Sequence, residues 1–259
     1  MVLAACTASQ PVMSGGDDYY SAQELRYEDH IYSPTVHTVQ VFKKGFELSP
    51  PIIGLGTTDQ LVLRFDDFSP DPQNLSFTVV HCNADWQPSD LAPGQYLKGV
   101  PMDFIPSARQ SFNTLQPFLE YEVEFPNEFM RPTVAGNYLF KVYRGTDQDD
   151  LVLTRRFMVF EDRIQIDARV VPTRDVERRD LDQQVDLTVR YPGIPVPDPF
   201  SDLHVVVLQN NRWDDVRTGF RPKFIRDAEL VYDHPKEGLF AGSNEWRGVD
   251  LKNLRYSTL

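Results

Sequence analysis

Leu75-Ser76-Phe77-Thr78-Val79-Val80-His81-Cys82, followed directly by Asn83-Ala84-Asp85-Trp86-Gln87-Pro88-Ser89-Asp90, decides the fold. In its first half, Leu75, Phe77, Val79 and His81 alternate with Ser76, Thr78, Val80 and Cys82. A period of two places each set on one face of a strand. The switch to Asn, Asp, Pro and Ser then ends the strand in a polar loop. The chain on either side repeats this grammar of short alternating runs and turn residues.

Upstream, Val36, Thr38, Gln40 and Phe42 alternate with His37, Val39, Val41 and Lys43, and Lys44-Gly45 closes the run. Pro50-Pro51 precedes the short apolar run Ile52-Ile53-Gly54-Leu55. Leu61, Leu63 and Phe65 alternate with Val62, Arg64 and Asp66. Downstream, a loop-rich region from Gln87 to Pro117 carries Pro88, Pro93, Pro101 and Pro106. Tyr121, Val123 and Phe125 alternate before Pro126-Asn127, and Gly136-Asn137 introduces Tyr138, Phe140 and Val142. Leu151, Leu153, Phe157 and Val159 complete a last strand, with Arg155 interrupting the apolar row. About seven short strands and no amphipathic helix predict an antiparallel β-sandwich over 26–160, with an immunoglobulin-like topology as one way to connect it.

Glu161-Asp162-Arg163 is a charged junction where a second domain, 161–259, is placed. Ile164 to Val170 alternates, as do Val185, Leu187 and Val189. Thr173 to Gln184 reads as a solvated loop, and Pro192, Pro195, Pro197 and Pro199 make an extended segment. His204 to Leu208 predicts a strand ending at Gln209-Asn210-Asn211. Phe224 and Leu230 to Tyr232 predict more sheet, and Gly238 to Gly242 a turn. About five strands before Leu259 predict a second β-sandwich that is cut short. The fold class expected is all-β, two consecutive β-sandwiches behind a disordered N-terminal segment, 1–25.

That segment holds Leu3-Ala4-Ala5-Cys6, the form of a bacterial lipobox in which a cysteine after small residues receives lipids. Few residues precede Cys6, so two readings stay open: a lipid anchor at Cys6 or a chance match. Thr7 to Ala22 has no apolar periodicity and is expected to be a disordered tether spanning on the order of 25 Å. No run of ~20 apolar residues, the length needed to span a bilayer, occurs in the sequence.

The composition narrows function. At 259 residues, with 41% apolar and 25% charged residues, the chain has the make-up of a globular protein. Its net charge of −12 argues against nucleic acid and anionic membrane surfaces as partners. The two cysteines, Cys6 and Cys82, make no disulfide framework. Cys82 is expected to be a small buried hydrophobe, and His81 beside it points to the opposite face, so the two form no nucleophile–base pair.

Asp66, Asp67, Asp71, Asp85 and Asp90 raise the thought of paired carboxylates for glycoside cleavage, but acidic turns at strand ends are ordinary. Asp147-Gln148-Asp149-Asp150 lacks the glycine and distal glutamate of a calcium loop and reads as a solvated turn. His30, His37, His81, His204 and His234 show no metal spacing. No glycine-rich phosphate loop or nucleophile elbow occurs. The expectation is a protein with no catalytic residue, no cofactor and no metal. Trp86, Trp213 and Trp246 each sit in a polar segment, either as rings buried under loops or as aromatic anchors for a glycan or protein.

Several pieces of the chain, taken in order, resemble the plug protein family of the type IX secretion system. They are Tyr27-Glu28-Asp29-His30-Ile31-Tyr32, Leu61-Val62-Leu63-Arg64-Phe65-Asp66-Asp67, and His81-Cys82-Asn83-Ala84-Asp85-Trp86 with Ser89-Asp90-Leu91. Ser111-Phe112-Asn113-Thr114, Phe125-Pro126-Asn127, Gly136-Asn137-Tyr138-Leu139 and Thr154-Arg155-Arg156-Phe157-Met158-Val159 follow. The second domain adds Val207-Leu208-Gln209-Asn210 and Asn244-Glu245-Trp246-Arg247. Ser243 interrupts the expected Gly-Asn-Glu run, and the family extends past the position of Leu259.

The resemblance implies a non-catalytic periplasmic protein at the inner face of the outer membrane. Its partner would be a very large outer-membrane β-barrel translocon, whose periplasmic mouth it covers when no substrate is exported. The loop residues Asn83, Asp85, Trp86, Gln87 and Asp90 are the expected partner contacts, because loops at sandwich ends commonly carry binding function. Two other readings compete: a glycan-binding cell-envelope lipoprotein that uses the tryptophans, and a β-sandwich hydrolase that uses Asp66, Asp67 or Asp85.

Overall fold

Leu75–Cys82 is a strand over its whole expected length, and it lies inside a sheet rather than at an edge. The computed structural model of the chain describes residues 24–106 and 108–242. Cys6, the tether after it, Trp246 and the Asn244-to-Arg247 motif lie outside the described residues. The chain divides into two compact units between Glu161 and Asp162.

The first unit contains, in chain order, β1 (His30–Ile31), β2 (Val36–Lys43), β3 (Ile52–Gly54), β4 (Leu61–Asp67), β5 (Leu75–Cys82) and the single helical turn α1 (Pro93–Tyr96). β6 (Leu97–Gly99), β7 (Asp103–Phe104), β8 (Arg109–Gln110), β9 (Leu119–Phe125), β10 (Met130–Pro132), β11 (Gly136–Arg144) and β12 (Leu151–Phe160) follow. One sheet runs β1-β12-β11-β5-β7, with β3 added in parallel to β12; a second runs β2-β4-β9-β8, and β6 pairs with β10. The two larger sheets pack face to face as a sandwich. Leu61, Leu63 and Phe65 of β4 and Tyr121, Val123 and Phe125 of β9 meet Phe77 and Val79 of β5, Tyr138, Phe140 and Val142 of β11, and Phe157 of β12. Phe140 and Phe157 are 4.4 Å apart between ring centres, and Phe125 meets both edge-on. Such aromatic pairs add about 0.5–1.5 kcal/mol each beyond area burial.

Three features of this unit go beyond the sequence reading. The second face of β5 is covered too: Ser76 and Thr78 are 0% and 8% exposed, and Cys82, at 2%, is buried as expected. Chain segments lie over that face as well, and the hydroxyls donate to their carbonyls, Ser76 Oγ to Gly145 O and Thr78 Oγ1 to Pro101 O. The alternation across β2 breaks at a bulge, where Thr38 adopts φ +52° and the register shifts between His37 and Gln40. Val36 is buried before it, and Val39 and Val41 turn to the core after it. The region from Gln87 to Pro117 also holds α1 and the short strands β6, β7 and β8.

The second unit contains β13 (Gln165–Pro172), β14 (Asp182–Arg190), the turn α2 (Pro199–Asp202), β15 (Phe224–Arg226), β16 (Glu229–Tyr232) and β17 (Leu239–Ala241). Among the described residues these form one antiparallel sheet, β13-β14-β16-β15, with β17 beside β14. Leu187, Val189, Leu230 and Tyr232 of the sheet are buried with Tyr191 and Phe220, and Ile194, Val196, Leu203, Val205 and Val207 pack against them.

His204 to Leu208 is not a strand; Val207 makes one isolated bridge to Arg217, and the run serves as cover for the sheet. Gly238 to Gly242 is not a turn alone, since Leu239–Ala241 pairs with Asp182–Gln184 as β17. β14 therefore begins at Asp182, inside the stretch expected to be loop. β13 pairs along its full length with β14, yet only Val171 of its residues is even partly buried.

Candidate functional site

The polar stretch after β5 folds into a loop fixed by its first residue. Asn83 Oδ1 accepts the backbone N–H groups of Asp85 and Gln87, both at 2.9 Å, and Asn83 N–H donates to Gln87 O at 2.8 Å. This is how an asparagine side chain mimics backbone in a turn. Asn137 at the start of β11 donates from Nδ2 to Asn83 O, tying the loop to the neighbouring strand. At the loop's far end Ser89 Oγ lies 2.8 Å from His81 Nδ1, and Ser89 N–H donates to His81 O. The imidazole fits over the start of β11 because residue 136 is glycine. A Cβ there would stand 2.4 Å from His81 Nε2, at a φ of +150°.

Trp86 takes the first of its two expected readings: it is 5% exposed, a ring buried under the loop. The Arg156 guanidinium lies over it, 4.5 Å from the ring centre. Arg156 is itself held by donating from Nε and Nη2 to Tyr27 O at 2.8 and 2.6 Å, while its N–H donates to Asp29 Oδ1. Burial lowers the guanidinium pKa from its ordinary value, and Asp29 and Glu28 oppose that shift. The indole is thus a pin beneath the loop. Asn83, Asp85, Gln87 and Asp90 are exposed, and of these Asn83 spends its carbonyl oxygen on the loop. Asp85, Gln87 and Asp90 remain as outward polar groups on a fixed backbone.

Burial pushes the Cys82 thiol up to about 11, so it is protonated at neutral pH, with Arg156 pulling weakly the other way. His81 engages Ser89 and Ala135 instead. Consecutive residues Asp66 and Asp67 point to opposite faces of β4, and Asp67 is buried as the acceptor for Ser69 N–H and Oγ–H. Asp147 and Asp150 shape the turn between β11 and β12, accepting from Asp149 N–H and Arg144 Nη1. Trp213 in the second unit is half-buried.

One cluster escaped sequence reasoning. Asp186 on β14 lies beside Asp233 and His234, just after β16, with their ligand-type atoms within 4.8 Å of one another. His234 Nδ1 is 2.8 Å from Asp233 Oδ1 and 3.3 Å from Asp186 Oδ2. Strand pairing brings them together, so no local spacing announces them. Asp233 also pairs with Lys223 and Arg174, and Lys223, then His234, hold its carboxyl down at about 2. Asp233 is thus shared between His234 and two basic side chains, Lys223 and Arg174.

The first unit is thus a two-sheet sandwich that presents a fixed polar loop. Residues 36–161 match the family described as Type 9 secretion system plug protein 1st domain. This region, just under half of the chain, is thus a plug protein first domain, and it supports a role connected with the type 9 secretion system. A crystal structure of a hypothetical protein from Parabacteroides merdae ATCC 43184 superposes with a TM-score of 0.84 at 29% identity, over 91% of this chain. The chain spans 59% of the length of that protein. The Pseudomonas fluorescens alkylpurine DNA glycosylase AlkC, bound to DNA containing an abasic site analog, aligns at a TM-score of only 0.28 with 12% identity, over 48% of this chain and 30% of that one. No curated protein sequence matches. No helix among the described residues is long and apolar enough to cross a membrane.

Proposed function

We propose that this protein is a non-catalytic plug subunit of the type IX secretion system. In this reading it sits in the periplasm, docks against the outer-membrane β-barrel translocon and covers its inner mouth while no substrate is exported. The match of residues 36–161 to the plug-protein first domain is the observation that carries the reading. The physics of the site agrees with it: blocking a pore requires a stiff body and a complementary surface, and the first unit has a fully packed interior. Asp85, Gln87 and Asp90 are the proposed contacts, presented by a loop that Asn83 and Trp86 hold in one shape. A preorganised loop pays little ordering entropy on docking. Lipidation of Cys6 would keep the plug near its membrane. Exchange between plugged and open pores is then a matter of relative affinity for competing partners.

The test is isolation of the outer-membrane complex from cells carrying a tagged full-length protein. The plug reading expects recovery of a large β-barrel protein, and expects deletion of the gene to admit large antibiotics that the intact envelope excludes. It also expects Asp85→Asn, Gln87→Ala and Asp90→Asn, combined in one chain, to lower recovery of the barrel while leaving thermal stability unchanged. Unchanged permeability after deletion, together with absence of any barrel in the isolate, would overturn the reading. Loss of growth on a polysaccharide instead would favour the glycan-binding alternative.

A further inference from the structure

We infer that the second unit pairs with a second copy of itself through the outer edge of β13, joining two sheets into one across a two-fold axis. β13 is an edge strand: β14 occupies one side, and among the described residues nothing pairs with the other. Edge strands of natural proteins are normally short, bulged, charged on both faces or covered, because a bare edge recruits another strand. β13 is eight residues long, carries its two charges on one face, and is uncovered among the described residues. It runs from Gln165 to Pro172 without a register shift.

Its two faces carry different information. Ile166, Ala168 and Val170 stand opposite Val189, Leu187 and Val185, so they continue the apolar face whose neighbouring rows are packed. Yet Ile166 and Val170 are each 66% exposed. On the other face stand one acid and one base, Asp167 and Arg169, also exposed and 3.3 Å apart at their closest atoms. An unpartnered apolar row next to an unpaired ladder edge asks for a strand. The charge pattern says which strand.

If two copies of β13 run antiparallel about a two-fold axis through Ala168, Ala168 faces Ala168. Ile166 of each copy then faces Val170 of the other, and Asp167 of each faces Arg169 of the other. Around the axis the opposed pairs are apolar with apolar or acid with base, and the Ile166–Val170 and Asp167–Arg169 pairs each occur twice, as an isologous contact requires; further out, Gln165 faces Val171. Pro172, which lacks an N–H, falls at the end of the ladder, where its missing donor costs least. A shift by one residue would instead set charged against apolar positions, so the sequence specifies the register as well as the partner.

The test is sedimentation velocity of the full-length chain over a wide concentration range, with variants that fold identically by circular dichroism. Wild type is expected to self-associate to a dimer. Arg169→Asp alone sets like charges opposite one another at two places and is expected to weaken the dimer on the order of tenfold or more. Asp167→Arg alone does the same with the opposite sign. The double variant Asp167→Arg/Arg169→Asp regains the dimer, and mixing the two single variants yields a heterodimer, because each supplies the charge the other lacks. A wild-type monomer at all concentrations would overturn the inference, including one whose β13 amides resist exchange because another segment covers the edge. Single variants that dimerise like wild type would overturn it as well, and so would a mixture that stays monomeric.

Discussion

Replacing Trp86 by alanine tests whether the indole is a structural pin or a contact residue. The ring is 5% exposed and is covered on one face by Arg156. Truncating a buried Trp to Ala removes the transfer free energy of the ring and leaves a cavity, together about 3–5 kcal/mol. The cation–π contact, about 0.5–2 kcal/mol in a partly desolvated site, lies within that total rather than on top of it. Arg156 keeps its two bonds to Tyr27 O, so the guanidinium is not stranded. Because the site lies at the end of the sandwich, where a loop can settle into the space, the lower end of the range applies, about 3 kcal/mol.

Amide exchange by mass spectrometry measures this in the first unit alone, through peptides from β5, β11 and β12, whose protection reports the largest openings. In urea, with a slope of ~2 kcal/mol/M, the same loss moves the midpoint down by ~1.5 M. Trp86→Phe, which keeps an apolar ring, should recover more than half of the loss. If Trp86→Ala changed the opening free energy by less than about 1 kcal/mol, the indole would not be acting as a core residue, and its place among the contacts would have to be restored.

Two further outcomes are expected. Gly99 has φ +109°, and a Cβ on it would stand 1.9 Å from the carbonyl oxygen of Phe129, which as backbone has little room to move. Gly99→Ala should therefore destabilise the first unit by more than ~1 kcal/mol in urea melts, whereas Gly94→Ala, with open space around its Cβ and a place in α1, should be neutral or slightly stabilising. In the second unit, Asp233 has a folded pKa of about 2 against an ordinary 3.8, so it favours the folded state above pH ~4, and that contribution is lost as pH falls from there through 2. Asp233→Asn should flatten the acid side of the stability–pH curve for exchange in β14 and β16 and leave the curve's shape above pH 5 unchanged. An unaltered acid limb would mean that Lys223 and Arg174 do not hold the carboxylate in solution.

The strands that could be read from the sequence were those whose environment matches a simple two-sided picture. β4 and β9 have apolar residues at every second position and bury those positions between two sheets. For β5 the same reading placed the strand but not its second face, since a hydroxyl-bearing side chain can be solvated or can donate to a covering carbonyl, and both look alike in sequence. β2 was misphased because one residue in the left-handed region, Thr38, shifts every residue after it, and threonine is not the residue type that announces such a bulge. The Val205–Val206–Val207 run has strand composition, but its Val205 and Val207 pack as cover over the sheet while Val206 is exposed, a choice made by tertiary position. β13 shows the complementary limit: periodicity tells which residues share a face, never whether anything lies upon it.

For the site, the loop's boundaries and its polar composition could be read, and so could the separation of Cys82 from His81. Whether Trp86 pointed in or out could not, because that depends on Arg156, distant in sequence. The Asp186–Asp233–His234 cluster depends likewise on strand register.

Arg156 has a consequence beyond packing. Its guanidinium is gripped by the Tyr27 carbonyl on one side and rests on the indole of Trp86 on the other, so the chain entering ahead of β1 and the turn leaving β5 share one clasp. A pull on the leader that peeled Tyr27 and Asp29 away from β12 would slacken that clasp before any core residue moved. Tension at the entry of the chain would then be felt first at the loop that follows β5.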